Sequence, residues 1–220
     1  MKKILTLVLL FILSACKPVE VTEAPASMIE EATVQLLADN LGLDTDTISV
    51  KSNEETEFND ACMDVVAFSD VACAQVVTPG RVVVLEANGI EYEYHTSPEG
   101  DVIQPATLAL TWTREGGIAG FCDRLVVFLS GEIYATNCKS QPAEAAGTFA
   151  ELLSTREMTQ FNAWYLKFGD VRLDVSDPVG VADGMMNTLA FYGDGKGKPS
   201  KVDQQSLFEW AQELYSKLNS

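Results

Sequence analysis

Residues 81–96 read RVVVLEANGIEYEYHT. Arg81 to Glu86 is a β-branched run, Asn88-Gly89 readily adopts positive φ at both positions, and Ile90 to Thr96 alternates strictly. That is the pattern of an antiparallel hairpin on a tight turn. Successive strand side chains point to opposite faces, so Ile90, Tyr92 and Tyr94 are expected in the core. His95 shares the other face with Glu91 and Glu93, where it reads as a solvated histidine. A general base oriented by a carboxylate is the rival reading.

Upstream, Ser27 to Asn40 reads as a helix. Ser27 and Glu30 match an S-x-x-E capping box, Ile29, Val34, Leu37 and Leu41 lie near one face, and Gly42 is the stop. Ile48 to Val50 and Glu57-Phe58 look like short strands. Downstream, Pro98-Glu99-Gly100 is a turn before Val102-Ile103, and Pro105 marks a boundary. Beyond it come a strand at Leu108 to Thr113, a glycine-rich bend at Arg114 to Gly120, and a hairpin from Phe121 to Cys138 turning at Ser130-Gly131. Residues 140–148 read as loop. Ser154 and Glu157 start a helix with Met158, Phe161, Trp164, Tyr165 and Phe168 near one face. Val171 to Val175 and Met185 to Tyr192 follow as strands, and Gly193 to Pro199 as loop. Ser200 and Asp203 cap a last helix bearing Leu207, Phe208, Ala211, Leu214, Tyr215 and Leu218. Helices beside hairpins without regular β-α alternation predict an α+β class. The expected architecture is antiparallel β-hairpins packed with amphipathic helices, in two small disulfide-stapled modules, 27–105 and 106–220.

The 220 residues carry 15 Lys+Arg against 32 Asp+Glu, one His and five Cys, with a net charge of −17. A hydrophobic fraction of 47% suffices for a sizeable core. The acidity argues against nucleic acid, which needs a basic surface. One histidine argues against multi-His metal sites.

At the amino terminus, Lys2-Lys3 precede an apolar stretch from Ile4 to Leu13. Ten residues span about 15 Å as helix, half of a bilayer core, which makes residues 1–15 a signal peptide and not an anchor helix. Leu13-Ser14-Ala15-Cys16 resembles the lipobox of bacterial lipoproteins. That resemblance implies a diacylglyceryl group on Cys16 and cleavage just before it. Lys17 stands where the family's inner-membrane retention signal is Asp, implying the outer membrane in a Gram-negative cell. Cleavage would leave 13 basic against 32 acidic groups, a net −19. Charge cannot hold such a body on anionic lipid, so acyl chains must. Residues 16–26 then form a lipidated tether, extended by the prolines Pro18 and Pro25.

Cys62, Cys73, Cys122 and Cys138 remain. In an exported chain they predict two disulfides, with the sequential pairing 62–73 and 122–138 favoured by proximity. A zinc site of all four thiolates is the alternative, although no C-x-x-C is present.

Helix, strand, then a hairpin whose last strand ends in a glycine turn resembles PepSY-type modules. Asn88-Gly89, Tyr92, Tyr94 and Gly100-Asp101-Val102 carry the likeness, and residues 59–80 interrupt it. The stretch from Asp60 through Cys73 to the tyrosines also resembles uncharacterised secreted bacterial lipoproteins. The PepSY likeness implies a protease-inhibiting or protease-regulating role.

No catalytic residue, cofactor or metal is expected. Arg114 to Gly120 lacks the spacing of a phosphate loop, and Asp194-Gly195-Lys196-Gly197-Lys198 lacks the oxygen ligands of a calcium loop. Asp170, Asp174 and Asp177 are a weak calcium candidate on a strand and its turn. Trp112, Trp164 and Trp210 read as core or rim packing more readily than as sugar-stacking platforms. A paired-carboxylate hydrolase of envelope polymers stays open on composition. The leading expectation is non-catalytic binding of an envelope protein or peptide, with the membrane reached through lipid. Met63 and Phe68, inside the span closed by Cys62 and Cys73, are the candidate anchors. The same residues could instead cap the N-terminal core.

Overall fold

A computed structural model describes residues 25–65, 68, 72–137, 151–178 and 180–218. The signal peptide, Cys16, most of the tether, Cys138 and residues 140–148 lie outside them.

The class is α+β, with three helices and two antiparallel sheets. The first helix, α1, runs Ala26–Leu41. Its capping box is absent: Pro25 is the N-cap, and Ser27 falls inside the first turn. Proline's fixed φ suits a helix start, and the carbonyl of Pro25 accepts from the Met28 amide at 2.9 Å. Gly42 ends the helix at φ 64, donating its N–H to the Ala38 carbonyl. Ile29, Thr33, Leu37 and Ala38 are buried, and Val34 and Leu41 pack beside them.

A 3-10 turn at Thr45–Thr47 leads into β1, Ser49–Phe58. This ten-residue strand replaces the two fragments expected around it. Its middle, KSNEETE, has no apolar alternation because β1 is an edge strand with most side chains in water. Strand β2 (Thr78–Ala87) pairs with β1 and with β3 (Ile90–Thr96), and β4 (Ile103–Pro105) completes the sheet in the order β1-β2-β3-β4. Asn88 at φ 53 and Gly89 at φ 75 make the predicted turn. Val83 lies opposite Tyr94 and Leu85 opposite Tyr92, all four buried.

The chain leaves this sheet after Pro105 and enters the second at β5, Leu108–Gly116. The second sheet adds β6 (Phe121–Phe128), β7 (Glu132–Asn137), β8 (Glu151–Leu152), β9 (Val171–Asp174) and β10 (Met185–Phe191), ordered β8-β7-β6-β5-β10-β9. Helix α2, Thr155–Lys167, carries the predicted capping box of Ser154 and Glu157. Helix α3, Lys201–Leu218, begins where Asp203 accepts from the Ser200 amide and Ser200 Oγ from the Asp203 amide. The buried residues of both sheets form one hydrophobic cluster, joining Leu37, Tyr92 and Tyr94 to Trp112, Phe161, Phe191 and Leu214. One sheet ends at Pro105 and the other begins at Leu108, while the core runs across that point.

Strands β6 and β7 pair from Asp123↔Asn137 to Val127↔Ile133 around a turn closed by the Gly131 amide on the Phe128 carbonyl. A ladder continued by one step would set position 122 against 138. Cys122 is disulfide-bonded. Peptide mapping without reduction should therefore recover Cys122 joined to Cys138. Recovery of Cys122 on Cys16 would show that the ladder does not continue.

Candidate functional site

The stapled loop begins where β1 ends. Cys62 and Cys73 form a disulfide with their Cα atoms 5.7 Å apart, and the Ala61 amide donates to the Ala74 carbonyl at 2.9 Å. Asp60 accepts from the amides of Cys62 (2.9 Å) and Asp64 (3.1 Å), which bends the chain sharply. Met63 and Asp64 take positive φ, 54° and 58°. That region is unfavourable for a Met, so the surrounding bonds and the disulfide must hold it.

His95 is the clamp. Its Nδ1 lies 2.6 Å from the Met63 carbonyl, which can only accept, so Nδ1 donates. Nε2 lies 2.9 Å from Glu93, and the ring stacks on Phe58 with centroids 4.7 Å apart. The expectation of a solvated histidine is corrected: its side chain is only 12% exposed. Strand alternation placed it correctly on the outer face, but the loop folds over that face.

Of the two candidate anchors, Met63 is turned inward and is 3% exposed, while Phe68 is half-buried. Val66 and Val71 lie outside the described residues. The loop's exit, residues 72–77, carries Val76 at 53% and Val77 at 62% exposure. These two valines were not singled out from sequence, where they fall within the interrupting segment 59–80.

The disulfide removes the four-thiolate zinc alternative. Among the described residues, Asp60, Cys62 and Cys73 are the one group close enough to share an ion. Two of its three ligands are already oxidised, and Asp60 serves backbone amides. Asp174 and Asp177 likewise accept from the amides of Ser176 and Met185, holding the β9–β10 connection. They form no ion-binding group with Asp170.

Two buried acids were not anticipated. Asp123, 2% exposed, takes the Arg114 Nε (2.8 Å) and Nη2 (2.5 Å), Asn137 Nδ2 (2.9 Å) and the Tyr215 hydroxyl (2.7 Å). Arg114 in turn lies over the Phe121 ring at 4.1 Å. The sequence did hold a signal: position 123 shares the inward face with Leu125 and Val127, an acid where alternation demands an apolar residue.

Glu132, 5% exposed, opens β7. Asn40 Nδ2 donates to it at 2.6 Å, and the Ser130 hydroxyl donates to its other oxygen. Nearby, the buried Tyr94 hydroxyl lies beside Ser130 and Asn40. A cavity of about 270 Å³ adjoins Glu132, walled by Leu36, Asn40, Ile103, Gln104, Pro105, Tyr134 and Leu152.

Burial raises the Glu132 carboxyl above its ordinary 4.5, against the lowering effect of Ser130 and Asn40. The native state therefore holds this proton more tightly than the unfolded chain. Its contribution to stability is full below pH 4.5 and is lost as pH rises through the raised value. Glu132→Gln should abolish that loss, so melting temperatures measured from about pH 4 to about pH 8 should shift progressively in the variant's favour. A pH-independent difference would refute the assignment.

The glycine loop at 193–197 caps α2. The amides of Asp194 and Gly195 donate to the Tyr165 carbonyl, and that of Gly197 to the Lys167 carbonyl. This is why its sequence lacks calcium ligands. The tryptophans pack as expected: Trp112 is buried, and Trp210 stacks on Phe161 at 5.7 Å and meets Trp164 edge-on at 5.6 Å. Among the described residues, no helix is long and apolar enough to cross a membrane.

The model of a domain of unknown function, DUF8738, matches residues 30–105. The match covers α1 from its fifth residue and the whole four-stranded sheet, ending where the chain leaves that sheet. No curated protein and no solved structure matches the chain.

Proposed function

We propose that the chain is an exported lipoprotein, anchored to the bacterial envelope through Cys16, that binds a protein or peptide partner without catalysis. The observation that carries the binding reading is the exposed pair Val76-Val77 beside a loop held by the Cys62–Cys73 disulfide. A pre-shaped loop loses little entropy on association, so its apolar side chains are effective anchors. Phe68, half-buried within the stapled span, is the further anchor in this reading, and the buried Met63 is a support. A protease-regulating partner is the narrower form of the reading, suggested by the PepSY likeness of residues 27–105. For the hydrolase alternative two acids should face each other across a cleft; Glu132 is the single carboxylate on its cavity wall, and the pairs Glu55/Glu57 and Glu209/Glu213 that line two open grooves each come side by side from one element, β1 and α3.

The test uses the full-length chain extracted from envelopes. Replacing Phe68, Val76 and Val77 with Ser should abolish co-purification of the partner while leaving the melting temperature within about 2 °C, as for surface changes. Unchanged co-purification, or a collapse in melting temperature, would give the loop a structural role. The anchor is checked in the same strain: Cys16→Ala should lose the acyl label and accumulate as uncleaved precursor, whereas an unlabelled, freely soluble parent protein would overturn it.

A further inference from the structure

We propose that the cavity between α1, β4, β7 and β8 is a binding site for a protonated amine carried on a short apolar body. This inference is independent of the stapled loop, and either can fail without the other. The cavity's volume of about 270 Å³ sits at the small end of ligand pockets. Leu36, Ile103, Pro105 and Leu152 make most of the wall apolar, Tyr134 adds a ring, and Asn40 and Gln104 contribute neutral amides. One carboxyl group, Glu132, adjoins this space.

Glu132 has an unusual set of partners. Its donors are the Asn40 amide, the Ser130 hydroxyl and its own backbone N–H, all neutral. A carboxylate offers about four lone-pair sites, so further acceptor capacity remains. A buried carboxylate served only by neutral donors is poorly compensated, because its charge is no longer solvated by water. An ammonium entering the cavity would meet that charge in a low-dielectric setting, where the attraction is strongest. Asn40 also lines the cavity, and its amide carries an acceptor oxygen suited to a second ammonium hydrogen. The remaining ligand classes fit worse. An anion would be repelled, a neutral polar group would leave the carboxylate uncompensated, and a hard metal ion needs six or more oxygens where one carboxylate is present. The apolar walls then select an alkyl stem over a fully hydrated cation.

A free alkylamine and the lysine side chain of a peptide share this chemistry. Full-length protein in detergent would be titrated calorimetrically with butylammonium chloride, Nα-acetyl-lysine amide, butanol and sodium butyrate. Butylammonium, the acetyl-lysine amide or both should bind saturably, and butanol and butyrate should not. Tighter binding of the lysine amide points to a partner's side chain, and tighter binding of butylammonium to a free amine. Glu132→Gln should weaken the amine about tenfold or more, as expected for loss of a charge-assisted bond. Should that variant fail to fold, Leu36→Phe, which fills the cavity from a half-buried position on α1, should have the same effect. Butanol binding as well as butylammonium, equal amine binding by the folded variants, or no saturable amine binding would overturn the proposal.

Discussion

Gly195→Ala is expected to lower the melting temperature by about 6–20 °C. A Cβ at this position would lie 2.2 Å from the Lys167 carbonyl carbon and 2.5 Å from the Phe168 nitrogen, both backbone atoms at the end of α2. Backbone cannot swing aside as a side chain can, so the loop must lift away from the helix. Overpacking of this kind costs about 1–3 kcal/mol, and each capping hydrogen bond lost adds about 1 kcal/mol. At this chain size each kcal/mol moves the midpoint by about 2–4 °C. Gly42→Ala is the control: it meets no atom within 4 Å and faces only the cost of a left-handed residue, about 1–2 kcal/mol. Thermal melts that put the two variants level would show that close approach is not what position 195 requires.

Asp123→Ala should be comparably damaging. Removing one partner of a buried ion pair costs about 3–5 kcal/mol, because the other charge is left uncompensated. Arg114 is 28% exposed and can recover some hydration, so the lower part of that range is expected, a fall of about 6–12 °C. The loss also takes away the acceptor of the Tyr215 hydroxyl at the end of α3, whose ionisation is pushed up to about 12, first by burial and then by its bond to Asp123. Arg114→Met in the Asp123→Ala background should restore part of the stability, since no charge is then left uncompensated although the Tyr215 and Asn137 bonds stay lost. A double variant no more stable than Asp123→Ala would assign the damage to the hydroxyl and amide bonds instead.

Much of the secondary structure was legible because its determinants are local. The Asn88-Gly89 turn, the Gly42 stop and the boxes at Ser154 and Ser200 each involve residues within about four positions of one another. Where two local signals competed, the reading failed: Pro25 and Ser27 both qualify to start α1, and proline's rigid backbone prevailed. Strand β1 failed for another reason. An edge strand owes its existence to the hydrogen-bonding row of β2, and its own side chains need not alternate.

The candidate sites were far less legible. Met63 and Phe68 sit side by side in a sequence argument, yet one is buried and the other half-buried, because the turn at Asp60 to Asp64 rotates Met63 beneath the loop. The Glu132 cavity left no trace, since an acid after Ser130-Gly131 reads as an ordinary turn residue.

By itself the sequence determined the α+β class, the hairpin register at Asn88-Gly89, the faces of three helices, and the expectation of an oxidised cysteine pair at 62 and 73. Periodicity, caps and turn residues act over a few positions and need no partner. The tertiary structure alone decided that His95 holds the Met63 carbonyl, that Asn40 meets Glu132 across 92 positions, and that Tyr215 reaches Asp123 across another 92. Those contacts depend on where two sheets and three helices come to rest against a shared core, and burial and charge compensation at that scale are properties of the assembled packing.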